Sequence, residues 1–272
     1  MAADVEVICI GNELLIGKIE NTNARWLAQQ ITRLGAVVKR ITVIPDSIEA
    51  IATTILEAKE RKPSLIITTG GLGPTFDDKT FQGIAKALNQ KLVVNQIAYE
   101  MVKKKCTAYA KKYAISSDFE MTPECTKMAT MPANATPVNN IIGAAPALHV
   151  DLGGTLLFAL PGVPKEMASI FDNAISIVIK QIVGPYSFLE KSLFLEDIFE
   201  SRLAPLIVKV MNDNPGVYIK SHPICSPNSD SLELHFTMSG GTPNSVETLE
   251  NTVKELTFLI KEKGGKIITS GL

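Results

Sequence analysis

Two adjacent carboxylates, Asp77 and Asp78, follow Gly70, Gly71 and Gly73 within the segment SLIITTGGLGPTFDDKT. A strand that ends in glycines and leads into a helix can hold phosphate oxygens with backbone N–H groups and the positive end of the helix dipole. Two carboxylates at such a place would repel a bare anion, so they require a cation between themselves and the phosphates. The chemistry this predicts is metal-assisted handling of a phosphorylated small molecule. Asp77 is expected to open the helix, because Phe81, Ile84, Ala85 and Leu88 recur at helical spacing behind it.

Further candidates sit where other apolar runs end. Gly11-Asn12-Glu13 follows Val5 to Ile10, and Asn21, Thr22 and Asn23 precede the next helical pattern. Pro45-Asp46 closes the run from Val37 to Ile44, and Leu160-Pro161-Gly162-Val163-Pro164-Lys165-Glu166 reads as a second strand-to-helix turn. In a parallel sheet the carboxyl ends of the strands form the ligand crevice, so Glu13, Asp46 and Asp77 or Asp78 are expected to converge on one cleft. Asp46, Asp77 and Asp78 are the catalytic and metal-ligating candidates, with Glu13 able to replace Asp46. Gly70, Gly71 and Gly73 would cradle one phosphate, and Lys165 would pair with another as a point charge. Asn23 and Thr75 would orient sugar or phosphate oxygens, and Gly162 would let backbone approach the ligand. Each residue also has a plain structural use: Asn23 and Asp77 can cap helices, Asp46 can make a turn, and Lys165 can be a solvated turn lysine.

Familiar phosphate signatures do not account for these residues. GNELLIGK, Gly11 to Lys18, has one residue too many for a P-loop, and Ile19 stands where Ser or Thr should hold Mg²⁺. Gly71-x-Gly73 lacks the third glycine of a dinucleotide fingerprint, since Phe76 occupies it. No helix gathers the glutamates and arginine of a Nudix-type pyrophosphatase.

The elements that must position the candidates alternate regularly. Strand patterns at Val5 to Ile10, Val37 to Ile44 and Leu65 to Thr69 are separated by helical ones, the first with Ala24, Leu27, Ala28, Ile31 and Leu34 on one face. Ser47 caps the second, which carries Ile48, Ile51, Ala52, Ile55 and Leu56. Asn95 to Tyr113 reads as a helix, then polar, Pro-containing segments run from Ser116 to Pro146. Ala147 to Val150 and Thr155 to Leu160 form a hairpin pattern, and the helix after it places Met167, Ile170, Phe171, Ala174 and Val178 inward. Gly184-Pro185 breaks the chain; strand patterns at 192–195, 218–221 and 232–238 and helical ones at 200–210 and 246–263 follow. The expected fold class is α/β, with a three-layer α/β/α domain on a mostly parallel sheet over residues 1–184 and a small α+β domain over 185–272.

Composition narrows the partners. With 272 residues, 46% of them hydrophobic and 20% charged, the chain can bury a full core. A formal net charge of -1 gives no reason to expect nucleic acid, and Lys103 to Lys105 with Lys111 and Lys112 read as a solvated helix face. Cys9, Cys106, Cys125 and Cys225 are far apart in sequence, with no C-x-x-C pair, and nothing argues for disulfides, so a reducing cytoplasm is expected. His149, His222 and His235 are scattered, without metal-site spacing. Neither a signal pattern nor a run of 18 apolar residues is found, so no membrane role is expected.

With these residues in hand, the chain resembles the CinA-like family, whose main domain has the molybdopterin-binding, or molybdenum-cofactor-biosynthesis, fold. The matching stretches are IGNELLIGKIENTNARWLAQQI, TTGGLGPTFDDKT, MATMPANATPVNNIIGAAPAL and LFALPGVPKEM. KSLFLEDIFESRLAPL and GVYIKSHP are similar to the family's KH-type second domain, so the resemblance covers nearly the whole sequence in order. Asn12 stands where Asp or Thr is more usual, and Gly143-Ala144-Ala145-Pro146-Ala147 replaces a commoner Gly-Thr-Ala-Pro-Gly. The sequence stops at Leu272, so the nicotinamide-nucleotide amidase activity that a further domain gives bacterial relatives is not carried over.

The resemblance implies two alternative functions. One is hydrolysis of ADP-ribose to AMP and ribose 5-phosphate, an ADP-ribose pyrophosphatase activity using a divalent metal (Co²⁺, Mn²⁺ or Mg²⁺) and potassium. The other is binding of molybdopterin without hydrolysis. Glu13-Leu14-Leu15, the Asp77-Asp78 doublet and the second domain favour the hydrolase. Relatives commonly dimerise, so a homodimer is expected. RNA binding is not, since the segment around Asn214-Pro215-Gly216-Val217 has no Gly-x-x-Gly loop.

Overall fold

The structure, a computed structural model, describes residues 3–112, 120–184, 187–226, 229–240 and 244–268. The chain divides into two units, the first of residues 1–32 and 36–183, the second with Gly184–Leu272 as its body.

In the first unit, β1 (Asp4–Ile10), α1 (Asn12–Leu15), α2 (Thr22–Arg33), β2 (Val37–Ile44), α3 (Ile48–Glu60), β3 (Leu65–Thr69) and α4 (Thr80–Ala87) give the alternation read from the sequence. They are followed by β4 (Leu92–Val94), α5 (Gln96–Lys112), α6 (Pro123–Met128), β5 (Thr130–Pro132), β6 (Thr136–Val138), β7 (Ala147–Asp151), β8 (Leu156–Leu160), α7 (Pro164–Ile170) and α8 (Ser176–Val183). Tyr113 and Ser116, the expected end of α5 and start of the polar stretch, lie outside the described residues.

The main sheet has the order β2-β1-β3-β8-β7-β6. β2, β1, β3 and β8 are mutually parallel, β7 is antiparallel to β8, and β6 is antiparallel to β7. Strand parity divides the apolar side chains between the two faces. Ile8, Ile10 and Ile66 join Ile51 and Ile55 of α3 and Ile84 of α4 in one core. Val5, Val7, Leu65 and Ile67 point the other way and are also buried. α2 and α7 bury Leu27, Ile31 and Met167, and Trp26 meets Phe171 edge-on with ring centroids 5.4 Å apart. Near-continuous apolar runs such as Leu65-Ile66-Ile67 are what a parallel strand covered on both faces requires.

Local signals act as expected at several ends. The Ser47 hydroxyl accepts the Ala50 N–H and starts α3. The Asp151 carboxylate accepts the N–H groups of Gly153 and Gly154 in the hairpin turn, and those two bonds hold its carboxyl below the usual range.

Three expectations need correction. Asp77 does not open α4: the helix begins at Thr80, whose hydroxyl and N–H are bonded to the carbonyls of Gly70 and Gly71. Asn23 does not cap α2; Asn21 does, its side-chain oxygen accepting the Ala24 N–H at 3.1 Å. The inward face after Phe171 is not Ala174 and Val178. A π-helical turn at Phe171–Ile175 inserts one residue between α7 and α8, rotating the later face so that Ile175 and Ile179 are buried.

The second unit contains β9 (Ser187–Glu196), α9 (Glu200–Asp213), β10 (Val217–Ser226), β11 (Ser229–Gly240), α10 (Ser245–Glu262) and β12 (Lys266–Ile268). Its antiparallel sheet has the order β10-β11-β9-β12. Leu232, Leu234, Phe236 and Met238 alternate into a core with Leu203 and Val210 of α9 and Leu249, Leu256 and Ile260 of α10. Among the described residues no helix is long and apolar enough to cross a membrane.

Candidate functional site

The carboxyl ends of β1, β2, β3 and β8 open into one cleft of 560 Å³, a size suited to a small molecule. Glu13, Asn23, Asp46, Gly70, Gly71, Gly73, Asp77, Asp78 and Gly162 all line it. The fold therefore brings together residues separated by as much as the distance from Glu13 to Gly162. Parallel strand order is the cause, since it puts every β-to-α loop on the same edge.

The glycine loop is built close to its neighbours. Gly70 donates its N–H to Leu160 O at 3.0 Å, and Gly70 and Gly71 have φ of 110° and 67°. A Cβ on Gly70 would collide with the carbonyl of Ile10, and one on Gly71 with the Thr80 hydroxyl. Further on, Thr75 N–H donates to Asp78 Oδ2 at 2.8 Å. The Thr75 hydroxyl lies 2.5 Å from Asp77 Oδ1 and 2.6 Å from Asp78 Oδ2, so its one proton is shared between two carboxylates. That contact, more than any nearby lysine, holds the Asp77 carboxyl below the usual carboxylate range. Among the described residues, the N–H groups of Gly71, Leu72 and Gly73 have no hydrogen-bond partner.

Three carboxylates each rest on a glycine. A Cβ on Gly11 would lie 2.5 Å from Glu13 Oε1, one on Gly73 would lie 2.6 Å from Asp78 Oδ2, and one on Gly143 would overlap the Glu166 carboxylate. Asp46 is held from another side, its Oδ2 accepting the Asn12 N–H at 2.8 Å. Glu13, Glu20, Asp46, Asp77, Asp78 and Glu166 line the cleft, and no lysine or arginine is among its lining residues. Six negative groups around one cavity favour cations and disfavour a bare phosphate.

Asn23, on the cleft lining, ties α2 to the ends of two strands. Its Nδ2 donates to Thr69 Oγ1 at 3.0 Å and to Gly162 O at 2.8 Å, while the Thr69 hydroxyl donates to Pro161 O. Asn23 Oδ1 is buried and has no hydrogen-bond partner among the described residues. Cys9, also on the lining, is a buried thiol whose pKa is pushed up by burial, as its place in an apolar strand suggested.

Lys165 and Thr75 are not on the cleft lining. Lys165 is exposed at the start of α7, and Glu166 takes the inward position. One residue along a helix turns the side chain by about 100°, which is why the neighbour faces the cleft. Thr75 acts behind the loop, on Asp77 and Asp78.

Sequence reasoning missed three residues here. Asn140, 3% exposed, donates to Ala145 O and Glu166 Oε2 and accepts from the N–H groups of Ile142 and Gly143. Glu166 is thereby fixed. Lys127 of α6 donates to the carbonyls of Thr75 and Gly73, and burial lowers its pKa. Nothing in their local sequence marked them: Asn140 follows Asn139, Lys127 sits in TPECTKM and Glu166 follows Lys165.

Among the described residues no three His, Cys, Asp or Glu side chains gather as a metal-ligand group. The carboxylates nonetheless share one cleft, and Mg²⁺ is commonly held by one or two carboxylates completed by water and ligand phosphate oxygens. Asp77 and Asp78, which share the Thr75 hydroxyl, or Asp46 by itself would be chemically suited to that partial donor set, but the three do not gather as one ligand group.

A family model described as a probable molybdopterin binding domain matches residues 6–181. A protein from Pyrobaculum calidifontis is 42% identical over 259 residues, covering 94% of this chain and 95% of the relative. One from Sulfurisphaera tokodaii is 41% identical over 268 residues, covering 97% and 98%. The crystal structure of the protein CinA, of unknown function, from Thermoplasma acidophilum is similar at a TM-score of 0.57 and 38% identity, over 65% of this chain and 98% of that one.

Proposed function

Since this chain belongs to the molybdopterin-binding-domain family and is CinA-like, we propose that its cleft binds a phosphorylated small molecule of the molybdopterin class together with a divalent cation. The observation that carries the reading is the run of N–H groups at Gly71, Leu72 and Gly73, unpartnered among the described residues, on the lining of a cleft rich in carboxylates. Backbone N–H groups receive phosphate oxygens without bringing a positive side chain. One or two carboxylates from among Asp46, Asp77 and Asp78, completed by water and ligand oxygens, would hold a cation that screens the cleft from the phosphate. When bound, such an ion supplies charge neutralisation and polarises phosphoryl oxygens. Asn23 Oδ1 offers an acceptor to a ligand N–H or O–H.

Hydrolysis of ADP-ribose to AMP and ribose 5-phosphate is the second reading, supported by the convergence of Asp46, Asp77 and Asp78 on the same cleft. The family match supports the binding reading better. One panel separates them: molybdopterin, ADP-ribose, FAD and NAD are each added with Mg²⁺, Mn²⁺ or Co²⁺, binding is read by calorimetry and products by phosphorus NMR. Pterin binding without a phosphorus product is the expected result. AMP and ribose 5-phosphate from ADP-ribose would put the hydrolase in its place, and no binding of any member would overturn both.

A further inference from the structure

Cys106 of α5 and Cys125 of α6, 19 residues apart in sequence, bring their sulfurs to 3.4 Å. Both are unbridged and lie, half-buried, at the margin of the core of the first unit. A disulfide needs a separation of about 2.05 Å, so a closure of about 1.4 Å is required, within reach of side-chain torsions. Two residues beyond Cys125 on the same helix, Lys127 holds the carbonyls of Gly73 and Thr75. α6 therefore carries a thiol at one position and the support of the glycine loop at another.

We propose that Cys106 and Cys125 are a redox-active pair, forming a reversible disulfide that fixes α6, and with it Lys127, to α5. The oxidant is a low-molecular-weight disulfide such as oxidised glutathione. The Cys125 thiolate attacks one sulfur of that disulfide, its S–S bond breaks, and one glutathione thiolate leaves. Cys106 then loses its proton to solvent and attacks the Cys125 sulfur, expelling the second glutathione thiolate. Two protein thiols are oxidised and one small disulfide is reduced to two thiols. The order follows from the surroundings: burial first, then the neighbouring Cys125, push the Cys106 thiol up to about 12. The part of that rise due to Cys125 is lost once Cys125 carries the mixed disulfide.

The full-length chain with its four cysteines is equilibrated with oxidised glutathione, alkylated under denaturing conditions and analysed by intact mass and peptide mapping. Two thiols should escape alkylation, with a peptide pair joined through Cys106 and Cys125 that dithiothreitol separates. A ring of this size should raise Tm by roughly 5–10 °C. Cys106→Ser should instead keep a glutathione adduct on Cys125 and show no rise. Four alkylated thiols, persistent glutathione adducts on the wild-type pair, or a bridge through Cys9 or Cys225 would each overturn the assignment. The wild-type masses decide this even if the variant folds poorly.

Discussion

The Asn23 side-chain amide donates to the Gly162 carbonyl at 2.8 Å, joining the start of α2 to the loop after β8. The same nitrogen donates to Thr69 Oγ1, whose own proton goes to Pro161 O. Both acceptors can only accept here, which fixes the amide orientation and leaves Oδ1 as the group for a ligand donor.

Asn23→Asp should therefore lose both donated bonds and face carboxylate oxygens toward the Gly162 carbonyl. Ligand affinity should fall by about 10- to 100-fold, matching a loss of about 1–3 kcal/mol for buried groups left unpaired. Calorimetric titration with molybdopterin checks this. Unchanged affinity would remove Asn23 from the site.

Two glycine substitutions should separate loop strain from carboxylate placement. Gly70→Ala places a Cβ against the Ile10 carbonyl at a φ of 110°. Backbone cannot yield there, and a loss of roughly 3 kcal/mol in stability is expected. Gly73→Ala has no positive φ to oppose, but its Cβ would come within 2.6 Å of Asp78 Oδ2. Stability should change by about 1 kcal/mol or less, since the carboxylate can swing away, while ligand affinity drops. Urea unfolding and binding measured on both variants check the contrast.

Removing divalent cations should weaken ligand binding, because six carboxylates line the cleft without a lysine or arginine. Binding in EDTA should be about 10-fold weaker or worse than in Mg²⁺. Asp78→Asn should shrink that difference by removing one negative charge. Equal affinity with and without metal would exclude the cation from the binding reaction.

The Asp77 carboxyl is depressed below its ordinary value near 3.8, first by the Thr75 hydroxyl. A depressed folded-state value gives stabilisation that is present above the unfolded-state pKa and lost as pH falls through the folded one. The window therefore lies below about pH 4. Carbon NMR titration should find the Asp77 carboxyl titrating higher in Thr75→Val than in wild type. Identical curves would show that the hydroxyl is not its partner.

Glu6 is 4% exposed in β1 and accepts two bonds of 2.7 Å from Arg61 at the end of α3. Arg61→Ala would leave that carboxylate buried and unpaired. The Arg61 side chain is 34% exposed, so water screens part of the pair and the expected loss is about 2 kcal/mol, less than for a wholly buried pair. Denaturant midpoints give the value, and a shift near zero would show that Glu6 is accommodated without its partner.

Much of this was legible in local patterns. Helical spacing marked Ile51 and Ile55 as core, the apolar run Leu65-Ile66-Ile67 marked a strand, and strand ends located Glu13, Asp46, Gly70 and Gly162 on one edge. These signals survive because burial repeats every 3.6 or 2 residues, so it is written along the chain itself. What lay between distant segments was not written there. Lys127 under the glycine loop, Asn140 fixing Glu166, and Cys106 beside Cys125 each join elements that only packing brings together. Even adjacent residues could not be told apart, since Lys165 and Glu166 differ only by the phase of a helix whose start Pro164 sets. Local pattern alone marks which strand ends carry polar chemistry. The tertiary structure decided which side chains enter the cleft, because rotation about a helix and the order of strands are settled by burial against the whole core.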